Sequence, residues 1–351
     1  MQETVRDMDR RWNVAVAGAT GIVGEAMLAI LAERDFPLAD LHVLASRRSA
    51  GRRMNFQGRQ LRVEALADFD FAGVEIAFFS AGAAVSAEHA PRAAAAGCVV
   101  VDNTSCFRYQ ADVPLVVPEV NPEAAAGWRA RRIVANPNCS TIQMAVVLKP
   151  IFDAAGIERV NVCTYQAVSG SGRRGVEEWR RQARALREGE RPRGEVYPKI
   201  IADNVLPHID LFQDNGYTRE EMKMVWETRK IFGDGELRVN PTAVRVPVHY
   251  GHSEALHLET RRALGVPELR ELLRQAPGVR LLDEPGEGEY PTALTDAAGR
   301  DAVYVGRVRA DISHPRGIDL WVVADNVRKG AALNAVQIAE LLITKYLQYK
   351  L

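Results

Sequence analysis

Residues 12–51 read "WNVAVAGATGIVGEAMLAILAERDFPLADLHVLASRRSAG", and this stretch decides the fold class. The segment "VAVAG" at 14–18 is continuously apolar and rich in valine, which is typical of a buried strand. A glycine loop follows, then "EAMLAILAERD" at 25–35 with helical spacing and "LHVLAS" at 41–46 as a second strand. A strand, a helix and a strand at this spacing predict a βαβ unit.

The same alternation continues beyond this unit. Two further apolar strands, "VEIAFFSAG" at 74–82 and "CVVVDNTS" at 98–105, flank an alanine-rich helical stretch. Alternating strands and helices predict an α/β fold with a parallel, doubly wound sheet, that is, a Rossmann-type dinucleotide-binding domain. We assign residues 1–135 to this domain, together with an apolar C-terminal helix in 330–351 that returns to pack on it.

A different pattern occupies residues 136–329. The stretches at 158–170, 243–260 and 301–326 are long and alternate between apolar and polar residues. Such alternation is typical of antiparallel strands that have one face buried under helices. We therefore predict a second, α+β domain with a mainly antiparallel sheet, which serves catalysis and dimerisation.

The composition excludes several classes of protein. The chain has 351 residues, 47% of them hydrophobic and 26% charged, with a formal net charge of zero, so no nucleic-acid partner is expected. The sequence has no run of about 18 apolar residues, so no membrane span is expected. The start, "MQETVRDMDRR", lacks the apolar stretch of a secretory signal. The four cysteines lack C-x-x-C spacing, which favours a cytoplasmic protein without a zinc site.

The glycine loop is a candidate cofactor site. Gly18, Gly21 and Gly24 lie between a strand and a helix, where glycines let a pyrophosphate approach a helix N-terminus. A plain strand–helix turn is the alternative. The second strand ends in "ASRRSAG" at 45–51, which has arginine and serine but no acid, so NADP is favoured over NAD. A solvated basic loop is the other interpretation of these arginines.

Cys139 is a candidate nucleophile. It follows Asn138, a good N-cap residue, at the start of an apolar helical stretch. The free N–H groups and the dipole of a first helical turn favour a thiolate. A thiolate can attack a carbonyl carbon, and hydride transfer from nicotinamide then needs a proton shuttle. His249 and His252 in "PVHYGHSEA" both qualify from the residues alone, and a metal site there lacks a third ligand.

Ordered blocks along nearly the whole chain resemble the aspartate-semialdehyde dehydrogenases. They are "GATGIVG", "ASRRSAG", "FSAG", "DNTSCFR", "VPEVN", "NPNCST", "QAVSGSG", "EEMKMVWETRKI", "RVPVHYGHSEA", "YVGRVRAD" and "WVVADNVRKGAALNAVQIAE". The resemblance implies that Cys139 is the nucleophile, Gln166 orients the acyl group and His252 is the general acid/base. It also implies that Arg245 holds the substrate carboxylate and that Glu220 meets the amino group.

The same resemblance implies further binding roles. Lys223 and Arg108 would hold phosphate, with Asn103 nearby. The residues implied to contact the cofactor pyrophosphate are Gly18, Thr20, Gly21, Ile22 and Val23. Those implied to contact the 2′-phosphate are Ser46, Arg48 and Ser49. Those implied to lie near the nicotinamide half are Gly82, Gly170 and Asn326. Arg47 adds a charge beside the second group, where it either strengthens the preference for NADP or faces solvent.

The activity implied by the resemblance is NADPH-dependent reductive dephosphorylation of L-4-aspartyl phosphate to L-aspartate 4-semialdehyde. This reaction belongs to the biosynthesis of lysine (through diaminopimelate), threonine, methionine and isoleucine. A homodimer, or two such dimers paired in a homotetramer, is the implied assembly. Two alternatives stay open: an N-acetyl-glutamyl-phosphate reductase-like enzyme, and a non-catalytic member of the family.

Overall fold

The structure is a computed structural model that describes residues 10–284, 286 and 288–348. Most of the N-terminal stretch that we expect not to be a secretory signal lies outside these residues. The chain divides into two compact units, Met1–Pro137 with Ala331–Leu351, and Asn138–Gly330, which we call unit 1 and unit 2. No helix in the described part of the chain is both long and apolar enough to cross a membrane.

Strands and α-helices alternate at the start of the chain, and later in both units some strands follow one another without an α-helix between them. The helices are α1 (Ile22–Glu33), α2 (Ala83–Ala95), α3 (Cys139–Ala155), α4 (Gly172–Arg187), α5 (Arg219–Phe232), α6 (Val266–Gln275) and α7 (Leu333–Leu342). The strands are β1 (Trp12–Ala17), β2 (Leu38–Ala45), β3 (Arg53–Phe56), β4 (Arg59–Arg62), β5 (Glu64–Ala65), β6 (Ile76–Phe79), β7 (Val99–Asp102), β8 (Ile133–Ala135), β9 (Ile157–Gln166), β10 (Arg238–Arg245), β11 (His252–Thr260), β12 (Val279–Leu281), β13 (Val303–Ala310) and β14 (Gly317–Ala324).

Unit 1 is built on a parallel sheet. Its strands lie in the order β5-β2-β1-β6-β7-β8, and each neighbouring pair is parallel. The strand order reverses at β1, which is the doubly wound arrangement that places a ligand crevice at the carboxyl ends of the strands. The predicted Rossmann-type fold is confirmed.

The core of unit 1 explains its apolar segments. Val14 and Val16 of β1, Met27 and Ile30 of α1, and Ile338 of α7 are buried in one cluster. Burial of each such side chain contributes about 1.5–3 kcal/mol relative to exposure. The C-terminal helix α7 thus belongs to the core of unit 1.

Unit 2 is built on a mixed, mainly antiparallel sheet. The strand order is β10-β9-β11-β14-β13-β12, with antiparallel pairing from β9 to β13 and parallel pairing at both edges. The prediction of a mainly antiparallel sheet is confirmed. The helix α3 packs on this sheet and contacts β9, β11, β13 and β14.

The alternating stretch at 243–260 is not one strand. β10 ends at Arg245, and β11 begins at His252. Pro247 cannot donate a ladder hydrogen bond, and Gly251 has a φ of 93°, which a strand does not adopt. His249 consequently lies in a connecting loop and not in the sheet.

Candidate active site

Three predicted site residues meet at one edge of the unit 2 sheet. Gln166 ends β9 and is paired in register with Arg245, which ends the parallel strand β10. The antiparallel neighbour β11 begins at the same edge with His252, which is paired with Ala324. The topology therefore collects an amide, a guanidinium and an imidazole in one row.

Cys139 is the first residue of α3, and its position is fixed from two sides. The side-chain oxygen of Asn138 caps the helix by accepting from the amides of Ser140 (3.0 Å) and Thr141 (3.3 Å). On the other side, a Cβ added to Gly330 would lie 2.8 Å from Cβ of Cys139. Only glycine at 330 leaves room for the cysteine, which the sequence patterns did not indicate.

Glu220 links the helix cap to Gln166. Its Oε1 accepts from Nδ2 of Asn138 at 2.9 Å and from Nε2 of Gln166 at 3.3 Å. Its Oε2 accepts from Nζ of Lys223 at 2.9 Å. This carboxylate, buried on α5, thus orients both the cap residue of the cysteine helix and the amide that is predicted to hold the acyl group.

Glu220 is held in its ionised form. Burial by itself would raise the pKa of this carboxyl, but Lys223, Asn138 and Arg245 lower it to about 2. Lys223 in turn contacts Asp210 at 2.8 Å, and although burial acts to lower its pKa, the two carboxylates raise it. Lys223 therefore already balances two negative charges within unit 2, and its contact with phosphate stays a prediction.

The peptide groups of Ala167 anchor Arg245 and His252. Nη1 of Arg245 donates to the Ala167 carbonyl at 2.8 Å, while the Ala167 amide donates to Nδ1 of His252 at 3.0 Å. In the described part of the chain this is the one side-chain hydrogen bond of Arg245, so its other N–H groups are available to a carboxylate. Burial lowers the pKa of Arg245, against the opposing charges of Glu220, Tyr197 and Cys139.

The hydrogen bond from Ala167 fixes the tautomer of His252. Because a backbone N–H is always a donor, Nδ1 must be the acceptor, and the neutral ring carries its proton on Nε2. Nε2 is buried without a hydrogen-bond partner among the described residues. Burial and the charge of Arg245 lower the pKa of His252 to about 3, although Glu220 opposes them. The ring is thus a neutral donor, suited to protonate a substrate oxygen.

The structure distinguishes the two candidate histidines. His249 lies in the loop before β11, where its ring contacts Trp179 and Tyr250. Burial also lowers the pKa of His249, followed by the charge of Arg180. Because His252 is next to Arg245 and the His249 ring lies tilted against Trp179 and Tyr250, the geometry favours His252 as the proton shuttle.

Gly170 and Asn326 also belong to this cluster. A Cβ added to Gly170 would lie 2.8 Å from Nη1 of Arg245 and 3.4 Å from Cε1 of His252. Asn326 is hydrogen-bonded to Ser169 at 3.0 Å and accepts from the amide of Gly251 at 3.0 Å. Asn326 therefore fixes both the turn that carries Gly170 and the residue before His252.

Unit 1 contains a cavity of about 440 Å³ that fits part of a dinucleotide. Gly18, Thr20 and Gly21 line it, and Gly21 caps α1 without a side chain. A Cβ at Gly18 would lie 2.5 Å from the Ser80 carbonyl oxygen, and one at Gly24 would lie 2.2 Å from the Gly18 oxygen. The glycines are thus needed for the tight turn, and Ile22 and Val23 open the helix beside it.

The basic turn after β2 lies beside this cavity. Ser46 lines the cavity, and so does Arg47, which donates to Asp68 through Nε (3.1 Å) and Nη2 (2.6 Å). Arg48 is exposed and Ser49 is buried, and neither is among the cavity residues just described. Gly82 caps α2 with a φ of 97°. Contacts of Arg48, Ser49 and Gly82 with the cofactor stay predictions.

Arg108 and Asn103 follow β7 at the carboxyl end of the unit 1 sheet. The buried guanidinium of Arg108 donates to the carbonyls of Asn136 (2.8 Å) and Asn103 (3.0 Å). Asn136 donates to Oδ1 of Asn103 at 2.5 Å and accepts from Asn334 of α7 at 2.6 Å. Sequence reasoning missed Asn136 and Asn334; the signal was an asparagine inside an apolar helix, where an unpaired amide would be costly.

Comparisons with known proteins agree with both units. Residues 13–128 match the family described as "Semialdehyde dehydrogenase, NAD binding domain", and residues 148–329 match "Semialdehyde dehydrogenase, dimerisation domain". The aspartate-semialdehyde dehydrogenase of Shewanella violacea is 60% identical over 97% of this chain and 100% of that protein.

Solved structures are also similar. Aspartate semialdehyde dehydrogenase II of Vibrio cholerae, solved in complex with ASA, has a TM-score of 0.94 and 57% identity, covering 96% of this chain and 99% of that one. The aspartate semialdehyde dehydrogenase of Candida albicans, solved with NADP, has a TM-score of 0.73 and 26% identity, covering 95% and 98%.

Proposed function

Because the chain belongs to the aspartate-semialdehyde dehydrogenase family, we propose that it reduces L-4-aspartyl phosphate to L-aspartate 4-semialdehyde with NADPH. The observation that carries the proposal is the row of Gln166, Arg245 and His252 in the unit that also places Cys139 at a capped helix start. It provides a nucleophile, a carboxylate clamp and a proton donor together.

Family membership makes the chain an NAD(P)-binding oxidoreductase. When bound, NADPH supplies the hydride. We assign the pyrophosphate to the glycine turn, with Gly18, Thr20, Gly21, Ile22 and Val23. We assign the 2′-phosphate to the basic turn, with Ser46, Arg48 and Ser49. The nicotinamide half is assigned to Gly82, Gly170 and Asn326. The cavity at Gly18 and Ser46 supports the first two assignments.

Substrate binding uses the charges of unit 2. Arg245 takes the α-carboxylate with the N–H groups that Ala167 does not use. Glu220, which is ionised at neutral pH, takes the α-ammonium group. Arg108, with Asn103 beside it, and Lys223 are the proposed phosphate ligands, and the fixed guanidinium of Arg108 supports its part of this assignment.

The first chemical step forms a thioester. The Cys139 thiolate attacks the acyl carbon, the bond from that carbon to the phosphate oxygen breaks, and phosphate leaves with the electron pair. The first turn of α3 favours the thiolate through its N–H groups and dipole. Gln166, held by Glu220 and by Thr164 at 3.2 Å, orients the acyl group.

The second step releases the aldehyde. As the thioester carbon is reduced, Nε2–H of His252 donates its proton to the developing oxyanion. The ring is then an imidazolate, whose negative charge the Ala167 amide and the neighbouring Arg245 stabilise. On collapse of the thiohemiacetal, Nε2 takes the proton back, the carbon–sulfur bond breaks, and the electron pair returns to Cys139 as thiolate. The bond from Ala167 holds the imidazole in the required tautomer throughout.

The biological setting follows from this reaction. We infer a cytoplasmic enzyme of lysine, threonine, methionine and isoleucine biosynthesis that works as a homodimer or as a homotetramer of paired dimers. The match of residues 148–329 to a dimerisation domain supports association of copies. The domain roles are proposed accordingly, with cofactor binding in 1–135 and 330–351, and catalysis with dimerisation in 136–329.

A substrate panel tests the proposed function. NADPH formation is followed with L-aspartate 4-semialdehyde and phosphate, and in parallel with N-acetyl-L-glutamate 5-semialdehyde, each with NADP and with NAD. We expect the aspartyl aldehyde with NADP to be used best, since Glu220 suits an ammonium group and not an acetamide. Preference for the acetylated aldehyde would overturn the substrate assignment, and inactivity with both would favour a non-catalytic role.

A further inference from the structure

A second buried titratable side chain lies next to the proposed proton shuttle. Glu254 follows His252 by two positions on β11, so both side chains are on the same face of the strand. Both are fully buried on β11, an interior strand of the sheet on which α3 packs. The proposed function gives Glu254 no role.

Gln143 connects this face to the cysteine helix. It lies four residues after Cys139 on α3, so the two side chains are on the same side of the helix. Its Nε2 donates to the carbonyl oxygen of His252 at 3.4 Å. Among the described residues, neither Oε1 of Gln143 nor the two carboxyl oxygens of Glu254 have a hydrogen-bond partner.

The surroundings of Glu254 favour the neutral form of its carboxyl group. Burial raises the pKa of Glu254 well above its usual range, and the adjacent Gln143 side chain opposes this effect only in part. Its neighbours in the sheet register are Thr164 and Val322, and no cation of the described chain pairs with it. A neutral carboxyl group is an O–H donor, and the amide oxygen of Gln143 is an acceptor that lacks a donor.

We propose that Glu254 donates its carboxyl proton to Oε1 of Gln143 and so fixes the first turns of α3, with Cys139, against the start of β11, where His252 lies. The connection runs from Glu254 to Gln143 and from Gln143 to the His252 carbonyl. Glu254 is a positioning residue in this proposal, which rests on the proposed function for its meaning in catalysis.

The competing explanation is that Glu254 only fills space. A side chain that only fills space can be replaced by an apolar one of similar shape at little cost, whereas removing one partner of a buried hydrogen bond leaves the other partner unsatisfied. Positioning and space-filling therefore predict different results for an apolar replacement: the variant of a positioning residue loses some stability and reacts slowly, whereas the variant of a space-filling residue keeps both its stability and its rate.

Three variants separate the two explanations. We expect Glu254→Leu to fold with a melting temperature lowered by about a few degrees, because Oε1 of Gln143 loses its donor. We also expect it to lower kcat by about 10-fold to 100-fold, with KM within about twofold, because misplaced reacting groups slow chemistry. Glu254→Gln retains an N–H donor for Gln143 and should recover most of the lost kcat. Leu256→Met, a volume-conserving change two positions further on the same buried face, is the matched control and should behave as wild type.

A variant of the acceptor keeps the proposal testable if Glu254→Leu does not fold. Gln143→Leu removes the other half of the hydrogen bond and should lower kcat by a similar factor. Where both single variants fold, the double variant should lose no more than either one, because both remove the same interaction.

A readout without substrate distinguishes this proposal from the proposed function. The rate at which iodoacetamide alkylates Cys139, measured by peptide mass spectrometry, should fall in Glu254→Leu and recover in Glu254→Gln. This pattern would support the positioning role even if wild-type protein did not use the aspartyl aldehyde. Wild-type kcat and alkylation rate in Glu254→Leu, or a Glu254→Gln variant no better than Glu254→Leu, would overturn it.

Discussion

At the scale of single residues, the site depends on backbone groups that take no part in the reaction but hold the reacting side chains in place. The peptide groups of Ala167 hold Arg245 by their oxygen and His252 by their amide. This is why the sequence could suggest Cys139, from its place at a helix start, but could not choose between His249 and His252. The choice depends on burial and on one backbone hydrogen bond, and neither has a signature in residue types.

Gly170 supports a prediction about substrate binding. In Gly170→Ala the new methyl group would lie 2.8 Å from Nη1 of Arg245, so the guanidinium must move. We expect KM for the aldehyde to rise by about tenfold with a smaller change in kcat, since lost binding and not lost chemistry is involved. Gly235→Ala, where an added Cβ meets nothing within 4 Å, is the control. Equal KM values in the two variants would contradict this geometry.

His252 supports a prediction about pH. Its pKa is about 3 in the folded protein, below the ordinary value of about 6.5 in the unfolded chain. Between these values the unfolded state binds a proton that the folded state does not, so stability is full above pH 6.5 and falls as the pH is lowered. The loss is about 1.4 kcal/mol per pH unit, or about 2 kcal/mol between pH 7 and pH 5.

Urea unfolding at the two pH values tests this point in wild type and in His252→Asn, which keeps an acceptor for the Ala167 amide. The wild type should lose more stability on acidification than the variant, by about 2 kcal/mol. The same loss in both proteins would show that His252 does not titrate in this way.

At the scale of elements, the start of α3 is the decisive feature. Asn138 caps the helix with its side-chain oxygen, donates its side-chain N–H to Glu220, and donates its backbone N–H to Glu227 at 2.6 Å. An N-cap could be predicted from "NPNCST", because asparagine is a good cap. The links to α5 could not, because they join residues 82 and 89 positions apart in the chain.

A pair of cap variants separates helix capping from the link to Glu220. Asn138→Ala should lower stability by about 0.5–2 kcal/mol, and it should also lower kcat because Glu220 loses a partner. Asn138→Ser restores a cap oxygen but not the N–H donor to Glu220. It should therefore be more stable than Asn138→Ala, while its kcat should remain as low. Chemical unfolding and steady-state rates measure both effects. An Asn138→Ala protein with wild-type stability would contradict the capping role.

The strands of unit 2 show where local patterns fail. The alternation at 243–260 is real on both sides of residues 246–251, but Pro247 and Gly251 interrupt the strand. The parallel pairing of β10 with β9 was not expected either. Alternation reports which face of a strand is buried, whereas the direction of a neighbouring strand depends on the path of the connecting chain.

At the scale of the whole molecule, the fold class could be predicted because the strand–helix alternation ends where the long alternating strands begin. The polar networks could not, since they join distant parts of the chain. Asn334 and Asn136, for example, are 198 positions apart and together support the residues around Arg108. The basic turn after β2 was predictable in composition, but which arginine lines the cavity depends on the path of a short turn.

A single-turnover measurement tests the thioester at Cys139 most directly. Protein is mixed with L-aspartate 4-semialdehyde and NADP without phosphate, and both NADPH and the mass of the Cys139 peptide are followed. We expect a burst of about one equivalent of NADPH per chain with an aspartyl adduct on Cys139, and continued turnover only when phosphate is added. Turnover that needs no phosphate, or an equal burst in Cys139→Ser, would contradict the proposed mechanism.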